Sequence, residues 1–161
     1  MLGVLESVSA ARRIRTLIDD ARGKGAQLPV GCTIEGTVMQ PVIVDNVTPE
    51  MKLYAEESFG PVVTVQRVDS DEEAIRVAND SEYGLSAAVF SRDVSRALNV
   101  AKRIESGICH INGPTVHDEA QMPFGGVKNS GYGRFGSKAS IAEFTDLRWI
   151  TIQTGPRHYP I

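Results

Sequence analysis

The sequence predicts an α/β fold built from parallel βαβ units. Helical and extended apolar patterns alternate along the chain, and the extended segments are short, rich in β-branched residues and bounded by turn residues. With 161 residues, 42% of them hydrophobic, the chain is large enough to bury an apolar core. It contains no internal repeat and no low-complexity linker, so a globular protein is expected.

The charge and cysteine patterns exclude several classes of protein. A formal net charge of −3 argues against a nucleic-acid surface, and two aspartates that follow Arg12, Arg13 and Arg15 indicate a solvated helix face instead. No apolar run approaches the ~20 residues that cross a bilayer. Cys32 and Cys109 form no CxxC pair and the histidines are scattered, so we expect no metal site and a reduced, cytoplasmic setting.

The first half of the chain opens with a helix candidate over residues 4–22, where apolar residues recur every three or four positions. A pair of glycines follows and would end this helix. Residues 37–47 predict β structure, in which Pro41 indicates an edge or a bulge. Residues 61–68 alternate and are rich in β-branched side chains, which predicts a strand.

Capping residues mark the next elements. Ser70 and Glu73 form a capping box that predicts a helix ending near Asn79. Residues 83–91 predict a strand, and Asp93 begins another helix.

The last elements follow Gly107, which ends that helix. Residues 108–112 predict a short strand, and residues 113–136 a loop long enough to be functional. A short helix over 137–144 and a closing strand over 147–154 complete the chain. No partner for the closing strand lies nearby in sequence, so we expect it to pair with another subunit.

The segment EESFGPVV, residues 56–63, is the first candidate for chemistry. In an extended backbone Glu57 and Phe59 would face the same side, because side chains alternate along a strand. A carboxylate can accept hydrogen bonds from two vicinal hydroxyls, and a phenyl ring can cover a flat heterocycle, as a nicotinamide riboside requires. The alternative is that Glu56 and Glu57 are solvated charges and Phe59 belongs to the core.

Two other motifs carry weaker signals. GYGRFG, residues 131–136, has the letters of a dinucleotide loop, but no buried strand precedes it, so a tight surface turn is the better interpretation. Cys109 and His110 are neighbours in a predicted strand and would point to opposite faces, so they are not expected to form a catalytic pair.

Four blocks of sequence together resemble the aldehyde dehydrogenase superfamily. They are EESFGPV, the segment AND-x-x-YGLSAAVFS over 78–91, G-x-x-x-IN over 107–112 and PFGGVKNSGYGR over 123–134. The resemblance implies the C-terminal part of that family's catalytic domain over residues 1–144. It also implies a closing strand and tail of the oligomerisation region over 145–161, through which the chain would form a homo-oligomer.

The resemblance further implies a reaction and the residues that serve it. Family members oxidise an aldehyde to an acid with NAD or NADP, using a cysteine thiolate and a glutamate-activated water. Glu57 matches the family's glutamate that binds the nicotinamide ribose, and Phe59 the aromatic beside the nicotinamide. Phe124 matches a ring of the substrate tunnel, and the loop carrying His117 and Asp118 supplies further tunnel wall.

The resemblance places the nucleophile, the general base and the main cofactor-binding half upstream of Met1, so no catalytic residue is expected here and the isolated chain is expected to be inactive. The loop GPTVHDEAQM and the ending TDLRWITIQ resemble the branch acting on aromatic aldehydes such as salicylaldehyde, vanillin and benzaldehyde. Two alternatives remain open: a stand-alone assembly module that pairs through its closing strand, and one half of a split enzyme.

Overall fold

The computed structural model describes residues 3–160, which form two compact units, one up to Glu82 and one from Tyr83 onward. Each unit combines helices with short strands, and each contains one pair of parallel strands, as the alternating pattern predicts. Within residues 3–160, no helix has both the length and the apolar character needed to cross a membrane.

The first unit is built on a long helix and a three-stranded sheet. Its elements are α1 Val8–Gly23, β1 Gln27–Val30, β2 Ile34–Glu35, β3 Val38–Met39, β4 Val42–Asp45, α2 Lys52–Ala55, β5 Val62–Val65 and α3 Asp71–Asn79. β4 is the central strand, antiparallel to β1 and parallel to β5, while β2 and β3 form a separate hairpin. The core forms between α1 and the sheet, where Ile14, Ile18, Val42 and Val44 are fully buried.

Local hydrogen bonds explain where two of these helices begin. The Ser7 hydroxyl accepts from the amide of Ala10 at 3.1 Å, so α1 begins later than residue 4. At α3 the Ser70 hydroxyl accepts from the amide of Glu73, as the capping box predicts. The Glu73 carboxylate, however, accepts from the amide of Asp69, one residue before the N-cap.

The predicted β segment over 37–47 is wrong as a single strand. It divides into β3 and β4, with Pro41 between them, because proline has no N–H to continue a ladder. β1, β2 and α2 were not predicted. They are four residues long or shorter, too short for an apolar period to be read from the sequence.

The second unit contains a complete βαβ crossover. Its elements are β6 Tyr83–Gly84, β7 Ser86–Val89, α4 Val94–Ala101, β8 Ile108–Ile111, β9 Val127–Lys128 and α5 Ser137–Glu143. β7 and β8 are parallel, and α4 connects them. The Asp93 carboxylate accepts from the amide of Arg96 at 3.0 Å, so α4 begins where the sequence predicts.

The long loop predicted over 113–136 is partly ordered as β structure. β9 pairs antiparallel with β6, and the backbones of Phe124 and Phe135 exchange hydrogen bonds of 2.8 and 2.7 Å. The glycines of GYGRFG all have positive φ, between 67° and 132°. This conformation confirms that the motif is a tight turn before α5, because other residues rarely adopt it.

The closing strand predicted over 147–154 does not form within the described single chain, and its expected pairing with another subunit stays a prediction. No β structure forms in that segment within the described residues, and its apolar side chains are exposed, Leu147 at 102% and Trp149 at 90%. A strand needs a neighbour to satisfy its backbone N–H and C=O groups, and no other segment of the described chain supplies one.

Candidate functional site

The segment that carries Glu57 and Phe59 is the turn between α2 and β5. Phe59 has φ 49°, in the left-handed region that non-glycine residues seldom occupy. Its ring is 80% exposed, so the interpretation of Phe59 as a core residue is wrong for this chain. The ring instead borders a cleft of about 790 Å³.

The expectation that Glu57 and Phe59 face the same side rested on an extended backbone, and the structure contradicts that premise. Side chains do not alternate through a residue with positive φ. Ser58 and Phe59 line the cleft together with Arg13 and residues at the start of α1, whereas Glu57 does not line it. The Glu57 side chain is exposed, and within residues 3–160 its carboxylate accepts no hydrogen bond.

Hydrogen bonds from the side chain of Arg13 connect this turn to α1. Its Nη2 donates to the backbone carbonyl of Glu57 at 2.8 Å, and its Nη1 donates to that of Ser58 at 3.2 Å. Nη2 also lies 3.5 Å from a carboxylate oxygen of Glu56. The interpretation of Arg13 as one of three solvated arginines is therefore incomplete, because its guanidinium binds two successive peptide groups.

A second cleft, of about 450 Å³, lies in the second unit. It is lined by Gly107, Ile108, Cys109, His110, His117, Asp118, Glu119, Met122 and Pro123. The rings of His110 and His117 meet edge to face with centroids 5.6 Å apart. The Nε2 of His117 lies 3.4 Å from a carboxylate oxygen of Glu119, and both of these side chains are about half exposed.

This second cleft brings together two of the three residues predicted for a substrate tunnel. His117 and Asp118 line it, but Phe124 does not. Phe124 is half-buried, and its backbone is fixed to that of Phe135 just beyond the cleft. Glu57 and Phe59 belong to the first unit, and these three residues to the second.

Cys109 and His110 both line the cleft. The sequence predicts instead that these neighbours point to opposite faces of the strand. The cleft runs along the side of β8, so adjacent residues both border it. The Nε2 of His110 is buried and has no hydrogen-bond partner within residues 3–160, so this nitrogen forms no hydrogen bond with the Cys109 thiol. Burial raises the pKa of the Cys109 thiol, which opposes formation of a thiolate at neutral pH.

Comparison with known proteins identifies the family. The sequence profile described as the aldehyde dehydrogenase family matches residues 1–150. The chain belongs to the aldehyde dehydrogenase family. The predicted resemblance and the predicted α/β fold class are thus confirmed.

Individual members of the family are similar over nearly all of this aldehyde dehydrogenase chain. A vanillin dehydrogenase of Pseudomonas sp. (strain HR199 / DSM 7063) is 67% identical over 161 residues, which are 100% of this chain and 34% of that protein. The crystal structure of a salicylaldehyde dehydrogenase from Pseudomonas putida G7, complexed with salicylaldehyde, is 49% identical with a TM-score of 0.93. That match covers 99% of this chain and 33% of the other.

A third structure is a double mutant of betaine aldehyde dehydrogenase from Staphylococcus aureus in complex with NAD⁺. It is 35% identical with a TM-score of 0.88, over 98% of this chain and 32% of the other. The chain therefore spans about a third of the length of the aldehyde dehydrogenases it matches.

Sequence reasoning missed Arg13 and the position of His110. Arg13 contacts residues 44 and 45 positions further along the chain. The local pattern of apolar and polar residues carries no information about a contact over that separation. No group of three or more His, Cys, Asp or Glu side chains that would suit a metal ion occurs among residues 3–160.

Proposed function

We propose that the chain is a segment of an NAD- or NADP-dependent aldehyde dehydrogenase that oxidises an aromatic aldehyde to a carboxylic acid. The observation that carries this proposal is its similarity, from end to end, to proteins named vanillin and salicylaldehyde dehydrogenase. Family membership supports an oxidoreductase, and the resemblance to these relatives supports an aromatic substrate.

We assign cofactor binding to Glu57 and Phe59. An exposed carboxylate with no partner in the described chain retains both oxygens for the vicinal hydroxyls of a ribose. The exposed ring of Phe59, at the border of a large cleft, is suited to cover one face of a nicotinamide. The cofactor, when bound, accepts the hydride from the substrate, while these two residues bind and orient it.

We assign the substrate wall to His117, Asp118 and Phe124. His117 and Asp118 border a cleft that also offers apolar lining from Ile108 and Met122, a mixture that suits a phenolic ring. A hydroxyl group on the substrate ring would form a hydrogen bond with the side chain of His117 or Asp118. Phe124, fixed by its backbone next to this cleft, would extend the apolar wall.

We assign no nucleophile to this chain. The Cys109 thiol, whose pKa is raised, is unsuited to attack a carbonyl carbon, because that attack requires a thiolate. The thiolate and the general base of the reaction would come from another part of the enzyme.

We also propose that residues 147–154 pair with a second copy of the chain, with 145–161 as an oligomerisation segment. Leu147, Trp149, Ile150 and Ile152 are exposed, and a partner strand would cover them and satisfy the backbone groups of the segment. This observation also favours the alternative of an assembly module without catalytic function.

A hybrid enzyme tests the proposed function. This chain replaces the matched third of the salicylaldehyde dehydrogenase of Pseudomonas putida, and kcat/KM is measured with NAD⁺ and either vanillin or salicylaldehyde. We expect turnover, and a ratio of vanillin to salicylaldehyde activity at least about fivefold above that of the unmodified host, because the exchanged segment is 67% identical to a vanillin dehydrogenase and 49% identical to the host.

The host enzyme is the control, and its thermal unfolding is compared with that of the hybrid. A folded hybrid with no turnover would contradict the catalytic function and favour the assembly module. A hybrid with the same ratio of vanillin to salicylaldehyde activity as the host would contradict the assignment of the substrate wall to His117, Asp118 and Phe124.

A further inference from the structure

We propose that Arg13 is a positioning residue, which holds the backbone of Glu57 and Ser58 so that Phe59 is presented to the cofactor. The inference rests on the proposed roles of Glu57 and Phe59. Arg13 itself need not touch the cofactor to act in this way.

The guanidinium of Arg13 extends from a helix that is anchored in the core of the first unit. Arg13 precedes Ile14, which is 1% exposed and anchors α1 in the core of the first unit. The Cδ1 atom of Ile14 lies so close to Gly60 that a Cβ added there would be 2.3 Å away. Two consecutive residues of α1 therefore contact the turn on both sides of Phe59, one through polar bonds and one through packing.

The turn needs such support because its conformation is unfavourable by itself. The peptide that bears the Ser58 carbonyl also contains the Phe59 amide, and its orientation helps to define the φ of 49° at Phe59. Arg13 donates to this carbonyl and to the preceding one. Two donors in a planar fork orient two successive peptides, which a single ammonium group cannot do with the same geometry.

The ion pair with Glu56 is a minor part of this arrangement. The two side chains are 45% and 48% exposed and their nearest charged atoms are 3.5 Å apart, so water screens the pair. The carbonyl contacts, at 2.8 and 3.2 Å, are the ones that restrain the backbone. Glu56→Gln is consequently a control that removes the charge partner and leaves both carbonyl bonds.

The first experiment uses the 161-residue chain and measures backbone amide order parameters by NMR relaxation. We expect the order parameters of residues 57–60 to fall from about 0.85 in the wild type to below about 0.6 in Arg13→Met, with those of α1 unchanged. Glu56→Gln and Arg15→Met, which changes an exposed arginine on the same helix, should leave residues 57–60 unchanged. Unchanged order parameters in Arg13→Met would overturn the proposal.

The second experiment uses the hybrid enzyme and separates this inference from the proposed function. Arg13→Met should raise KM for NAD⁺ about tenfold while KM for the aldehyde stays within about twofold, and Arg13→Lys should restore only part of the loss. If Glu57→Gln raises KM for NAD⁺ and Arg13→Met does not, the positioning role is wrong.

If Glu57→Gln has no effect on KM while Arg13→Met still loosens the turn, the positioning of the backbone stands and the cofactor role of Glu57 fails. Should Arg13→Met not fold, the order parameters of Arg13→Lys are measured in the same way. Lower order parameters confined to residues 57–60 then support the proposal, and order parameters equal to those of the wild type overturn it.

Discussion

Replacing Glu57 with glutamine in the hybrid enzyme is expected to raise KM for NAD⁺ by about tenfold or more. The carboxylate can accept two charge-assisted hydrogen bonds from the ribose, and the amide replaces one acceptor oxygen by a donor. Loss of one such bond costs about 1.5–3 kcal/mol, and about 1.4 kcal/mol corresponds to a factor of ten. Steady-state kinetics at saturating aldehyde measure the effect.

The adjacent carboxylate provides a matched control. Glu56→Gln makes the same chemical change one residue earlier, at a side chain whose ion pair with Arg13 is half exposed. We expect its KM for NAD⁺ to remain within about twofold of the unsubstituted hybrid. Equal effects of the two substitutions would mean that Glu57 acts only through the general charge of the segment and does not bind the ribose.

Gly107→Ala is expected to destabilise the second unit by about 4 kcal/mol, the largest effect of a single methyl group predicted for this chain. A Cβ at this position would lie 1.7 Å from the carbonyl oxygen of Gly125. The Gly107 amide also donates to the carbonyl of Gly84 at 3.0 Å, so the backbone cannot withdraw without losing that bond. Backbone neighbours on both sides leave no flexible group to move.

Urea unfolding of the 161-residue chain, followed by circular dichroism, measures this change. Gly155→Ala is the control in the same unit, because nothing lies within 4 Å of the added Cβ. It should change the free energy of unfolding by less than about 0.5 kcal/mol. A Gly107→Ala chain as stable as wild type would show that the PFGG backbone does not pack against β8 in solution.

The elements that the sequence predicts well are those specified by local chemistry. Side-chain caps at Ser70 and Asp93 define the starts of α3 and α4, and both bonds form. The turn role of GYGRFG follows from glycines that alone tolerate the required φ. The four sequence blocks carry the family assignment without any reference to tertiary contacts.

The features that the sequence does not reveal depend on contacts between distant segments. The bonds from Arg13 to the carbonyls of Glu57 and Ser58 join residues more than 40 positions apart. The positive φ at Phe59 removes the alternation on which the predicted facing of Glu57 and Phe59 relied. Residues 147–154 have strand character but no partner in the described chain, so intrinsic propensity alone does not make them a strand.

The most direct test of the account is a crystal structure of the hybrid enzyme with NAD⁺. We expect the oxygens of the Glu57 carboxylate to lie about 2.6–3.2 Å from the hydroxyls of the nicotinamide ribose, with the Phe59 ring against the nicotinamide. A ribose bound by other residues, with Glu57 in solvent and Phe59 turned away from the ring, would contradict the assignment of this turn as the cofactor site.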